Sequence, residues 1–147
     1  MTEHNYQHVL FAAALTDEDL QVGARAVAVA RAHGARLSLL HILEERDVGA
    51  GAEAGPLTPY TDSGLAQRMR DELADLARHL GMPEAEVEVV RANAVGTKLD
   101  QVAQERGVDL IVVGSHATHG WTLLLGSKPN EVLHHAPCDV LAVRLKR

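Results

Sequence analysis

The chain has 147 residues, 46% of them hydrophobic and only 3% aromatic, with a formal net charge of −6. That length fits one domain with a real core, and the core must rely on Val, Leu, Ile and Ala, which suits a parallel sheet covered by helices better than a β-sandwich. The acidic balance, with no Lys/Arg block, removes the electrostatic support for binding a nucleic-acid backbone.

Strand and helix signals alternate along the chain. "HVLFAAAL" (8–15) is a short apolar run and reads as the first strand. Thr16 followed by Asp19 is close to a capping box, with Asp in place of the usual Glu, and opens an Ala-rich helix that stops at Gly34. "RLSLLHIL" (36–43) reads as the second strand. The stretch 44–64 is rich in Gly, Ala, Pro and acids without a period, and reads as a mobile loop. Leu65, Met69, Leu73, Leu76 and Leu80 then fall on one face of a helix, which Gly81 and Pro83 end. "VEVVRA" (87–92) reads as the third strand. Thr97 with Asp100 marks another capped helix, running to Gly107. "VDLIVVG" (108–114) is nearly all apolar, as a central parallel strand buried on both faces should be. A last helix is expected over about 129–135, and "CDVLAVRL" (138–145) is the final strand. The sum is a single doubly wound α/β layer, βαβαβαβαβ, with five parallel strands and four helices, and no internal repeat.

The order of "HVLFAAALTDED", "LSLLHILE", "GVDLIVVGSH", "LLLGS" and "EVLHHAPCDVLAVRL" closely resembles the universal stress protein family, in particular its UspA-like branch. The resemblance spans almost the whole chain. It implies the adenine-nucleotide alpha hydrolase-like fold with strand order 3-2-1-4-5, a cytoplasmic role in the stress response, and a homodimer formed through the last strand. Some members bind ATP where the strand order reverses, whereas UspA-like members typically do not.

The ATP-binding form of the family carries G-x2-G-x9-G-(S/T), in which Gly backbone and a helix N-terminus receive phosphate oxygens. Gly114 matches the first Gly, and Gly126 with Ser127 matches the last pair. The middle Gly falls on Ala117, and the stretch between Gly114 and Gly126 is one residue short of the pattern. ATP-binding members also carry an acid at the end of the first strand, bonded to the ribose, and that position is Ala14. Losing that hydrogen bond costs roughly 1.5–3 kcal/mol of affinity. An Ala forced to positive φ adds strain of order 1 kcal/mol. Together these losses are worth on the order of a hundredfold in affinity. The expectation is therefore a non-catalytic protein with no cofactor and a degenerate ATP motif. The alternative is an ATP- or AMP-binding regulator, with Mg, that uses the Gly114–Ser127 loop and has slow ATPase activity. Under that alternative Ile42 lies where adenine packs and His116 orients the loop.

The remaining residues have simpler readings. Gly114 and Gly126 serve turns in any case, and Ser127 is an N-cap as readily as a phosphate ligand. His116 and His119 flank the loop and His134–His135 adjoin, but no Cys or carboxylate joins them at ligand spacing, so no metal site is expected. Ser115 beside His116 does not make a nucleophile–base pair. The lone Cys138 cannot form an internal disulfide, which fits a reducing compartment. No signal-peptide pattern or membrane-length apolar run occurs, so the chain reads as cytoplasmic, without membrane insertion. An apolar final strand at a sheet edge leaves backbone groups unpaired. Pairing Val140, Leu141, Ala142, Val143, Arg144 and Leu145 with a second copy resolves that. Other protein partners remain unidentified, and Trp121 packs either on the domain or on a partner.

Overall fold

The structure is a computed structural model that describes residues 5–44, 59–116, 122–123 and 136–145, without the side chains of 59–63, 116 and 122–123. The strands are β1 (His8–Ala12), β2 (Arg36–Glu44), β3 (Glu86–Ala92), β4 (Leu110–His116), β5 (Thr122–Leu123) and β6 (Asp139–Arg144). The helices are α1 (Asp19–His33), α2 (Pro59–His79) and α3 (Val95–Glu105). Five strands pair in parallel in the order β3-β2-β1-β4-β6, which is the order 3-2-1-4-5 of the expected fold. The two-residue β5 is an addition, paired antiparallel to the end of β4. The helix expected over 129–135 lies outside the described residues.

Alternation along β1 divides the core into two layers. Val9, Phe11 and Ala13 face α1 and α2, together with Val22, Ala26 and Leu73. Leu10 and Ala12 face α3, with Leu40, Ile42, Leu99 and Ile111. Every residue of β1 is buried, as a central strand covered on both faces requires. Only small side chains let α1 lie this close to the sheet. A Cβ built at Gly23 would stand 2.6 Å from Leu80 Cδ1 and 2.9 Å from Phe11 Cε2.

Helix ends follow the Gly signals. Gly34 takes φ 63°, and Ala35 N–H returns to Ala30 C=O at 2.8 Å. Gly81 repeats this at φ 76°, with Met82 N–H on Ala77 C=O at 2.8 Å. Helix starts depart from expectation. α3 begins at Val95 with Ala94 at its cap and no side-chain cap bond, so Thr97 sits inside the first turn. The buried Val95, Gly96 and Leu99 anchor that turn by packing, which replaces the hydroxyl cap. α2 begins at Pro59, so the loop expected over 44–64 is helical from 59 onward. Pro is pre-organised for a first helical turn, and helix propagation carries the polar residues after it. Residues 45–58 lie outside the described set.

Candidate functional site: the crevice beside β1 and β4

Doubly wound sheets bind ligands where neighbouring strands lead to opposite faces, at their C-terminal ends. Here that point lies between β1 and β4. β1 pairs with β4 from Val9 opposite Leu110 only as far as Phe11 opposite Val112. It stays with β2 to Ala12 opposite Leu40, and Ala13 N–H still donates to Leu40 C=O at 2.8 Å. Gly114 and Ser115, both buried, continue β4 beyond the parting. Ser115 pairs with Arg144 of β6 and also with Leu123 of β5. A strand has two edges, so β5 must lie on the edge that β1 has left. The chain thus covers part of its own crevice with a short antiparallel ladder.

The β1–α1 connection forms the floor. Leu15 holds φ 60°, a conformation that costs a non-Gly residue of order 1 kcal/mol. Asp19 holds it there. Its carboxylate, 3% exposed, accepts N–H from Ala14 at 3.1 Å and from Leu15 at 2.8 Å. Only the backward half of a capping box forms: the acid of the first turn reaches back to the incoming loop, and no side chain caps α1 at Glu18. Burial pushes the Asp19 carboxyl above the ordinary range, against the pull of those N–H donors and of neighbouring His41. His41 is fixed in turn. Its ring lies 2.8 Å from Ala13 C=O through Nδ1, and a carbonyl only accepts, so Nδ1 carries a proton.

The residues expected at a nucleotide site are only partly brought together. Gly114 stands at the parting of β1 and β4. Ile42 is 5% exposed and packs in the core layer under α3. Ala14 lies two residues past the end of β1, with its N–H bonded to Asp19 and no carboxylate of its own. His116 ends β4 opposite Thr122. Ala117, Gly126 and Ser127 lie outside the described residues, as do His119, Trp121, His134 and His135. Among the described residues no cluster of three or more His, Cys, Asp or Glu is placed to hold a metal. Cys138 is half-buried and its thiol is pushed up to about 11 by burial, which leaves it protonated and unreactive at neutral pH. No described helix is long and apolar enough to cross a membrane.

The model of the universal stress protein family matches residues 5–144. This chain belongs to that family. It is 34% identical to universal stress protein A homolog 1 of Coxiella burnetii, over 97% of this chain and 99% of that one. It is 29% identical to the universal stress protein A homolog of Haemophilus influenzae, covering 96% and 98%. Among solved structures, a universal stress protein in complex with cAMP superposes with TM-score 0.67 at 27% identity, covering 97% of this chain and all of that one. UspA from Lactobacillus plantarum superposes with TM-score 0.68 at 22% identity, over 97% and 100%, and shares the fold.

Within the universal stress protein fold, Asp19 and His41 are the site residues that motif reading missed. Asp19 was visible in sequence only as an acid near a helix start. Nothing in the spacing shows that it turns inward.

Proposed function

We propose that this universal stress protein is a UspA-like homodimer, built as a single domain, that acts in the cytoplasm without catalysis and without a resident cofactor. Its contribution to stress tolerance comes through protein partners not yet identified. The observation that carries this reading is Ala14. The position at which the ATP-binding branch is expected to hold a ribose carboxylate has a methyl group, and its N–H is bonded to Asp19. The dimer reading rests on β6. It pairs with β4 along one edge and with no strand on the other among the described residues. Val140, Leu141 and Ala142 are half-buried in the single chain, while Val143 and Leu145 are already in its core. A second copy would therefore meet the backbone edge of β6 and its half-buried side chains.

A second reading, an ATP- or AMP-binding regulator with Mg and slow ATPase activity, is favoured by the cAMP-bound relative, 27% identical over nearly the whole chain. It would use Gly114, His116, Gly126 and Ser127, with Ile42 against the base. Two measurements separate the readings. Acid extracts of the purified protein are expected to contain far less than one nucleotide per chain, and stoichiometric nucleotide overturns the first reading. Ala14→Asp is expected to tighten Mg-ATP binding about tenfold or more, the scale of one charge-assisted hydrogen bond. An unchanged affinity would mean that the crevice beside β1 is not the nucleotide site.

A further inference from the structure

Ile42 points towards α3, so alternation along β2 turns His41 and Leu43 to the opposite face, towards α2. Between these two residues, the β1–α1 connection and α2 lies a cavity of about 580 Å³. That is the size of an ordinary small-molecule site. Leu15, Leu43 and Met69 give it an apolar lining, and His41, Arg68 and Glu72 supply its polar groups. Arg68 and Glu72 stand four residues apart on α2, on one helix face. Both are exposed, and neither has a hydrogen bond or ion pair among the described residues. Opposite charges one turn apart usually answer each other, and here they flank a cavity instead. His41 is held by Ala13 C=O through Nδ1, which leaves its Nε2 edge for a ligand. The strained Leu15, locked by the buried Asp19, holds the lining in place. Strain that the surroundings maintain in this way gathers at ligand sites.

We propose that this cavity, which adjoins the crevice through Ala14 and Leu15 but opens towards α2, is a second ligand site for a small amphoteric molecule with an apolar body. A free apolar amino acid has that chemistry. Its carboxylate pairs with Arg68, its ammonium with Glu72, and its side chain covers Leu15, Leu43 and Met69, with His41 at the polar end. The proposal stands whether or not nucleotide binds at the crevice.

The test uses L-leucine as probe in calorimetric titration of the full chain, beside 3-methylbutylamine, which lacks the carboxylate, and 4-methylpentanoate, which lacks the ammonium. Leucine is expected to bind saturably, one per chain, in the millimolar range. Each analogue is expected to bind about threefold to fivefold more weakly or worse, the scale of one exposed ion pair. Arg68→Ala and Glu72→Ala are expected to weaken leucine to the same degree without moving the unfolding midpoint, since both side chains are exposed. Absence of saturable leucine binding overturns the proposal. So does binding that survives Arg68→Ala unchanged, and so does leucine displaced by Mg-ATP, which would put both ligands in one place.

Discussion

Replacing Asp19 tests most sharply how the crevice is built. Its carboxylate satisfies the N–H groups of Ala14 and Leu15, is also bonded by Thr16 N–H, and holds Leu15 at φ 60°. A buried donor left without its acceptor costs about 1–3 kcal/mol. Ala14 and Leu15 are themselves half-buried, so water recovers part of that, and relaxing Leu15 returns roughly 1 kcal/mol. Asp19→Ala is therefore expected to lose about 2–3 kcal/mol, and Asp19→Asn, which keeps one acceptor oxygen, about 1–2. Urea unfolding at fixed protomer concentration measures both. The pH dependence adds a second check. Burial raises the folded pKa of Asp19 above its unfolded value, so the folded state binds the proton more tightly. The stability Asp19 contributes is thus greatest in acid and falls as pH rises through the folded pKa. The deficit of Asp19→Asn should accordingly be larger near pH 4 than at pH 7. A loss under about 0.5 kcal/mol for Asp19→Ala, the range of ordinary surface changes, would refute the claim that this carboxylate holds the turn.

Three further outcomes follow from the same structure. Gly23→Ala places a methyl against Leu80 and the fully buried Phe11. It should cost about 1–3 kcal/mol in thermal or urea unfolding. His8 is 3% exposed, with Nε2 2.7 Å from Ser38 Oγ and Arg36 3.0 Å from Nδ1. Burial, helped by Arg36, lowers its folded pKa against the raising influence of Arg106 C=O, Glu86 and Asp109, so the unfolded chain takes the proton first. Stability should drop as pH falls below about 6.5, and His8→Gln should flatten that slope in urea midpoints taken from pH 5 to 7.5. For the edge strand, sedimentation equilibrium should find a dimer that Ala142→Lys converts to a monomer of unchanged circular dichroism. A wild-type monomer would remove the pairing through β6.

Elements carried by burial were legible in the sequence, and those carried by the path of the chain were not. The largely apolar runs at 8–15 and 108–114 announced two central strands, the first ending at Ala12, and the spacing from Leu65 to Leu80 announced α2. The start of α2 at Pro59 was hidden because "PYTDSG" contributes no apolar period. Thr97 drew the start of α3 too late, since Ala94 carries no cap signal and packing at Val95 sets the boundary. β5 could not be anticipated, because two residues have no periodicity and their pairing depends on where β1 leaves β4. How far Asp19 reaches back was hidden for the same reason. Residue type and spacing identified an acid at a helix start, but only the turn at Leu15 directs backbone N–H groups at it.

Under the proposed function, the crevice beside β1 and β4 serves the fold and holds no nucleotide. Calorimetric titration of nucleotide-stripped protein with Mg-ATP, at two temperatures to avoid a chance zero of enthalpy, tests it most directly. The account predicts no saturable heat. Binding tighter than about 100 μM, roughly −5.5 kcal/mol, would contradict it and show that Gly114 and the loop after it hold phosphate despite Ala14 and Ala117.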